Sequence, residues 1–299
     1  MKQIRQNLLR EDSKTLFLAK ELAYRRASQL QVFQLIITVL IPIVGSIAAL
    51  RNLDLAPSVA LLCLFALIAD SAFVERSQSH FIQRATAFSE MFDCLVLEID
   101  WNGFIAGTPK TPEEIAANAR RHPDREKALS RLPDWYPSAV DRAPLEISRI
   151  CCQRANLWYD AKLRGRYAKV TVALSVLVIS ALIIIGFSMN LTIAELVLSV
   201  FAPMSPLVAW TMREHFRQRE SANLQNEMLN EVEALWRTLQ SLTLQPQELK
   251  VKARQFQDAI FQRRLRNPLL FPAVYWLLRN EMDQVMNTGA EGRLKELGY

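Results

Sequence analysis

The 299-residue chain has only eight glycines, three histidines and four cysteines, and it lacks several motifs that identify enzymes. It contains no glycine-rich phosphate loop, serine-nucleophile elbow, zinc-protease helix or dinucleotide-binding fingerprint. The histidines are scattered without metal-ligand spacing, and the cysteines are expected to be reduced packing residues. The sequence therefore predicts a protein that is not an enzyme and that holds no metal and no cofactor.

Long stretches without charge are what the sequence does contain. Val170–Met189 runs for 20 residues without a charged side chain, which is the length that an α-helix needs to cross a bilayer. Apolar stretches at 33–50, 57–75 and 193–212 add three further candidate spans, so that the four spans form two hairpins. Because 22% of the residues are nevertheless charged, water-facing parts must accompany the spans. We predict an all-α membrane protein with two transmembrane helical hairpins and a mainly helical cytoplasmic domain.

The spans divide the chain into five expected parts. These are an N-terminal amphipathic cytoplasmic helix (1–32), a first transmembrane hairpin (33–75), a cytoplasmic middle domain (76–169), a second transmembrane hairpin (170–212) and C-terminal cytoplasmic helices (213–299). Every Lys and Arg except Arg51 lies outside the two hairpins. By the positive-inside rule, this distribution places both termini and the middle domain in the cytoplasm. The first 30 residues also lack the apolar core of a signal peptide.

Asp70 lies within the second apolar stretch, where an ionised group is costly. One interpretation is a carboxylate that lines a pore or relays protons. The other is a residue near the membrane surface that pairs with a neighbour such as Arg76. We favour the second interpretation because Asp70 is close to the end of its span.

Local patterns predict the helix ends and one extended segment. Phe92–Trp101 alternates apolar and other residues, which favours an extended conformation. Thr111 with Glu114, and Thr192 with Glu195, each have the spacing of a helix capping box. We further expect a helix from about Leu145 into the third span. Helices at 213–245, 247–266 and 269–286 and a frayed tail at 288–299 complete the prediction.

Several short motifs occur in an order that resembles a known family. They are Glu90-Met91-Phe92-Asp93-Cys94, Asp134-Trp135-Tyr136-Pro137, Arg149-Ile150-Cys151-Cys152-Gln153-Arg154, Trp158-Tyr159-Asp160-Ala161-Lys162-Leu163-Arg164 and Gln257-Asp258-Ala259-Ile260-Phe261, with Arg263, Tyr275 and Arg279 further on. Over nearly the whole chain, this set resembles the SMODS-associating four-transmembrane effectors of bacteria.

The resemblance implies a pore-forming effector of CBASS-type anti-phage defence in the bacterial inner membrane. Such an effector is gated by a cyclic oligonucleotide from a partner nucleotidyltransferase, and it permeabilises the membrane so that infection is aborted. The implied partners are the lipid bilayer and this nucleotide, with no DNA or RNA polymer. Since four spans with few polar residues cannot enclose a wide aqueous path, we also expect a homo-oligomer. A constitutive channel or transporter, or a membrane-anchored enzyme with a site in 76–169, remain as alternatives.

The candidate ligand site combines aromatic residues for bases with basic residues for phosphates. A proline-bounded turn and the helix that enters the third span supply eight residues: Trp135, Tyr136, Arg149, Arg154, Trp158, Tyr159, Lys162 and Arg164. Ligand binding there would act directly on a membrane helix. Alternatively, these side chains are headgroup anchors or core aromatics, and the ligand site lies near Arg263 and Arg279.

Overall fold

The computed structural model describes residues 3–241 and 244–299, without the side chains at positions 71, 272, 273, 275, 276, 278 and 280. All regular secondary structure in these ranges is helical, which confirms the predicted fold class. Ten helices, counted within the described residues, are α1 (Gln3–Leu8), α2 (Glu11–Arg51), α3 (Leu53–Leu97), α4 (Gly103–Ala106), α5 (Pro112–Arg120), α6 (Arg125–Leu129), α7 (Leu145–Ser188), α8 (Ile193–Ser241), α9 (Pro246–Arg266) and α10 (Pro272–Glu296). Short 3₁₀ turns at Leu132–Asp134 and Ser138–Arg142 connect α6 to α7.

Four of these helices, α2, α3, α7 and α8, are long and apolar enough to cross a membrane. Fewer than half of the residues in the most apolar stretch of each are buried. Such exposed apolar surface is expected of helices that face lipid. Each long helix continues without a break from its apolar stretch into the part outside the membrane, so the expected boundaries near 32, 75, 169 and 212 all fall within helices.

Three of the spans contain a π-helical turn, at Ile36–Leu40, Asp70–Val74 and Val197–Phe201. Pro42 and Pro203 closely follow the first and third of these turns. Proline has no N–H to donate and its ring clashes with the preceding turn, so a wider turn before it relieves the crowding. Pro203 thus follows a local π turn, and α8 continues through both Pro203 and Pro206.

The extramembrane core forms where the non-spanning ends of the long helices pack together with α9 and α10. Its largest fully buried side chains include Phe17 of α2, Phe92 of α3, Ile150 of α7 and Trp236 of α8. A separate apolar cluster joins the spans and includes Leu182, Leu196, Val200, Met204 and Leu207. The four cysteines are free and buried, as expected of packing residues.

Two local predictions are wrong. The segment 92–101 is not extended, because α3 continues to Leu97 and ends at Glu98 in the left-handed conformation (φ 51°). The tail at 288–299 is not frayed, since α10 continues to Glu296 and buries Ala290 and Leu294 in the extramembrane core. In both places tertiary contacts decide the conformation, which local periodicity could not reveal.

The two predicted capping boxes have different outcomes. Thr192 and Glu195 form the complete reciprocal box at the start of α8, as predicted. At the start of α5, the Thr111 side chain accepts from the Glu114 backbone. The Glu114 carboxylate instead pairs with Arg84 at 2.8 Å, so it joins α5 to α3.

Each hairpin has a glycine at a close contact between its two helices. A Cβ atom on Gly45 would lie 2.6 Å from Cγ1 of Val59, and one on Gly186 would overlap the Leu196 side chain. A Cβ atom on Gly165, outside the spans, would meet nothing within 4 Å.

We expect Gly45→Ala to lower the thermal midpoint of the detergent-solubilised protein, because overpacking costs about 1–3 kcal/mol and the branched Val59 side chain has little freedom to move. Gly186→Ala should cost less, since Leu196 can change rotamer. Gly165→Ala is the control and should leave the midpoint unchanged or raise it, because alanine favours helix. Equal midpoints for Gly45→Ala and Gly165→Ala would contradict this account of the hairpin.

Candidate functional site

The predicted aromatic pair lies in the core beside a buried lysine. The Nζ atom of Lys20 lies 3.6 Å from the ring centroid of Trp135, and 4.2 and 4.7 Å from those of Phe92 and Phe17. Cations are attracted to the faces of aromatic rings, so Lys20 occupies the surface on which a base would otherwise stack. Tyr136 is also buried, and its hydroxyl donates to Asp93 at 2.9 Å.

Arg149 closes the carboxyl end of α3. Its guanidinium donates to the Leu97 carbonyl at 3.1 Å and to the Glu98 carbonyl at 3.4 Å, while Asn7 donates to the Glu98 carboxylate at 2.9 Å. A positive charge at a helix carboxyl terminus satisfies carbonyls that lack helical partners. This bonding explains why a non-glycine residue is held in the left-handed conformation at position 98.

Arg154 belongs to a cluster of three charged residues that joins α7, α8 and α10. Its Nε atom lies 2.6 Å from Oε1 of Glu233, and Nη2 of Arg293 lies 2.7 Å from Oε2 of the same carboxylate. Two guanidinium groups thus converge on one anionic group near the surface, with side-chain exposures of 13% for Arg154 and 32% for Arg293. Paired arginines of this kind also suit a phosphate.

Arg164 belongs to a polar layer just outside the spans. It pairs with Asp160 at 2.7 Å and donates to the Gln218 side chain at 2.8 Å and to the Pro268 carbonyl at 2.7 Å. Gln225 also donates to Asp160 at 2.8 Å. The layer therefore joins α7, α8 and the segment before α10 at one level.

The remaining predicted residues are more accessible. Lys162 is exposed, and Trp158 and Tyr159 are half-buried on α7. The eight residues consequently do not form one pocket, since the turn residues lie around Lys20 and the arginines serve three different junctions. Of the alternative pair, Arg279 forms an ion pair with Asp283 at 3.2 Å, and Arg263 is half-buried near Glu227.

A buried cluster of charged residues between α3 and α9 was not predicted from the sequence. Glu90 pairs with Arg254 at 2.6 Å and Asp93 with Arg264 at 2.5 Å, and Gln257 donates to both carboxylates. Spacing on α3 places the two acids on one face, but their partners lie more than 160 positions away in the sequence. Local sequence patterns therefore could not indicate that these acids and arginines pair.

The two acids of this cluster differ in protonation behaviour. Burial raises the pKa of Glu90 above its ordinary value, in spite of the attraction of Arg254. Burial also opposes ionisation of Asp93, but Arg264 and Lys20 together hold its pKa below the ordinary value. Asp93 is thus an ionised counter-charge around which α2, α3 and α9 meet.

Asp70 forms the corresponding junction at the ends of the spans. Its carboxylate is fully buried, pairs with Arg213 of α8 and accepts from Gln34 of α2 at 2.6 Å. The sequence-based suggestion of Arg76 as the partner is wrong, because Asp70 pairs with Arg213 of α8. Local spacing could indicate only neighbours on the same helix. One turn further, Arg217 pairs with Glu75 at 2.6 Å.

Two small cavities lie beside α1, with volumes of about 20 and 10 Å³. Each holds no more than about one water molecule. Within the same residues, no group of three or more His, Cys, Asp or Glu side chains is placed to hold a metal ion.

Comparison with known proteins identifies the family. A profile of the SMODS-associating 4TM effector domain matches residues 2–292. The chain belongs to this family. A curated relative from Bacillus cereus strain VD146, named "Probable CBASS effector molecule", is 24% identical over 217 residues, which are 71% of this chain and 70% of the relative. No solved structure matches the chain.

Membership confirms the resemblance carried by the ordered motifs. The family and its relative support an effector role in anti-phage defence. Of the polar contacts described above, those of Asp70, Glu75 and Arg164 lie where the extramembrane core meets the spans.

The two ion pairs near the membrane surface should differ strongly in energy. Arg213→Gln leaves the fully buried Asp70 carboxylate without its charge partner and should cost about 3–5 kcal/mol. Arg217→Gln is the matched control, because it breaks a pair whose two side chains are 36% and 34% exposed and should cost at most about 1 kcal/mol. Unfolding of the detergent-solubilised variants measures the difference, and equal costs would show that Asp70 is not held by Arg213.

Lys20 should make stability depend on pH. Burial lowers the pKa of Lys20 from 10.5 to about 7, against the attraction of Asp93. Between these values the unfolded chain binds more protons than the folded one, so folded stability rises with pH by at most about 1.4 kcal/mol per unit. We expect Lys20→Met to remove this rise in the thermal midpoint between neutral and alkaline pH. Lys14→Met, on the same helix and partly exposed, should retain it, and a rise retained in Lys20→Met would contradict the assignment.

Proposed function

We propose that this protein is a ligand-gated effector that permeabilises the bacterial inner membrane. The observation that carries the proposal is the continuity of α2, α3, α7 and α8, each of which extends from the extramembrane core into a span. A displacement of these helices in the core moves the spans directly. The termini and the core face the cytoplasm in this proposal, because every Lys and Arg except Arg51 lies outside the two hairpins.

The gating ligand in this proposal is a cyclic oligonucleotide from a partner nucleotidyltransferase. Its phosphate would replace the Glu233 carboxylate between Arg154 and Arg293. That exchange would release α8 from α7 and α10, and the separated arrangement would be favoured only while ligand is bound. The exposed Lys162 and the half-buried Trp158 and Tyr159 lie further along the same helix and would extend the contact. Tyr136, Trp135, Arg149 and Arg164 would remain in their internal contacts.

Permeabilisation would require the bundle to rearrange within a homo-oligomer. Several small polar residues of the spans face inward: Thr38, Ser46 and Ser199 are buried, and Ser175 bonds to Thr211 at 2.7 Å, whereas Ser180 is exposed. Separation of the hairpins would expose these groups toward a lumen shared by several copies. Lipid would surround the assembly, and no DNA or RNA polymer is involved.

An enzymatic role in 76–169 has less support. The two acids of this part that are buried, Glu90 and Asp93, are engaged by arginines and by Gln257. A catalytic acid needs access to a substrate. A constitutive channel is likewise less consistent with spans that bury Thr38, Ser46 and Ser199.

Dye-loaded vesicles containing the purified protein test the proposal. We expect leakage only when a member of a panel of cyclic di- and trinucleotides is added. Leakage without nucleotide would instead indicate a constitutive channel. Conversion of an added nucleotide without leakage would indicate a membrane-anchored enzyme.

Two matched variants test the ligand site. Arg154→Ala and Glu233→Gln both break the same internal ion pair, but only Arg154→Ala removes a phosphate-binding group. We expect nucleotide binding to be lost in Arg154→Ala and retained or strengthened in Glu233→Gln, as measured by calorimetry on protein that inserts normally. Equal loss in both variants would mean that the pair is structural, and unchanged binding in both would place the ligand elsewhere.

A further inference from the structure

The segment 269–278, which contains the start of α10, is apolar although it lies outside the four spans. Its sequence, LLFPAVYWLL, has no charged residue over ten positions, and Arg266 and Arg279 lie close to its two ends. Leu269, Leu270, Phe271 and Val274 are half-buried, whereas Leu277 is 83% exposed. Leu277 therefore presents apolar surface within an uncharged stretch.

The beginning of this segment is fixed beside the spans by polar side chains of three helices. The Leu269 carbonyl accepts from Gln218 of α8 at 2.9 Å and from Gln31 of α2 at 3.2 Å. The preceding carbonyl, of Pro268, accepts from Arg164 of α7 at 2.7 Å. These contacts hold the segment at the level of the polar layer, a few residues before the third span.

The next contacts lie still closer to the membrane. A hydrogen bond connects the Tyr167 side chain to the Phe271 backbone. Ten positions further along the chain, Glu281 pairs with Arg166 through two hydrogen bonds of 2.8 and 2.9 Å. Both ends of 271–281 therefore contact adjacent residues of α7, about 6 Å along the helix axis from the start of the third span at Val170.

We propose that the segment 269–278 lies in the interfacial region of the bilayer and inserts Leu277 among the phospholipids of the leaflet that faces the extramembrane core. The polar contacts of Leu269, Phe271 and Glu281 place this segment beside the ends of the spans, so the bilayer is adjacent to it. Exposed Arg266 is suited to lipid phosphates, and short apolar stretches with Tyr and Trp are typical of membrane interfaces. This inference depends on the membrane spans and does not require a pore or a nucleotide.

The function of such a contact would be to fix one end of α10 in the membrane. The other end of α10 contacts the core, where Arg293 contributes to the ion pair of Glu233. A single helix would then connect the lipid surface to the junction of α7 and α8. Rearrangement of that junction would have to move α10 relative to the bilayer.

Depth-dependent fluorescence quenching tests the proposal in the full-length protein. Leu277→Cys and Val285→Cys are labelled with an environment-sensitive fluorophore and reconstituted in vesicles of phosphatidylethanolamine and phosphatidylglycerol. Val285 is the matched control, because it is 46% exposed on the same helix but lies beyond Glu281. The four native cysteines are buried, so the unsubstituted protein gives the labelling background.

We expect nitroxides on the lipid headgroup or the upper acyl chain to quench the label at 277 strongly and the label at 285 little. Equal, weak quenching at both positions would overturn the proposal. Weak lipid quenching at 277 together with self-quenching that disappears on dilution with unlabelled protein would also overturn it, since a second copy would then cover Leu277. Both substitutions replace exposed side chains, so reconstitution itself should be unaffected.

Discussion

The buried carboxylate of Asp70 is the constraint on which the arrangement of the spans depends. An ionised group among apolar helices is tolerated only if it is paired and hydrogen-bonded. Asp70 meets that condition with Arg213 and Gln34, which belong to two other long helices. The need to neutralise one charge therefore sets the relative position of α2, α3 and α8 where they leave the membrane. A hairpin that moved independently would leave the carboxylate unpaired.

In the extramembrane core, further from the membrane, a second buried carboxylate is likewise paired and hydrogen-bonded. Asp93 is surrounded by Arg264, Lys20 and Tyr136, so α2, α3 and α9 and the turn before α7 meet at one negative charge. Buried ion pairs add little net stability compared with apolar packing, but they tolerate few alternative arrangements. The core is thus held in a specific geometry, while apolar side chains such as Phe92 and Trp236 supply most of the burial.

Continuous helices between these two charged junctions make the molecule suited to transmit a displacement. The polar layer around Asp160 and Arg164 lies between them and engages α7, α8 and the segment before α10. An effector of a defence system must remain inactive until it is signalled. In the gating proposed above, the buried pairs would stabilise the closed arrangement without ligand, and a ligand that binds the open arrangement more tightly would shift the balance.

The sequence by itself determined the helical class, the four apolar spans, the capping box at Thr192 and the family, since each depends on local composition, spacing or ordered motifs. It could not determine the partners of Asp70 and Asp93, because the arginines that pair with them are 143 and 171 positions distant. For the same reason, the basic and aromatic residues of α7 looked like one ligand surface, whereas the fold distributes them among a helix cap, two ion-pair networks and a partly exposed face. Helical periodicity is a property of neighbours along the chain, but the choice of counter-charge for a buried group is made only when distant helices pack.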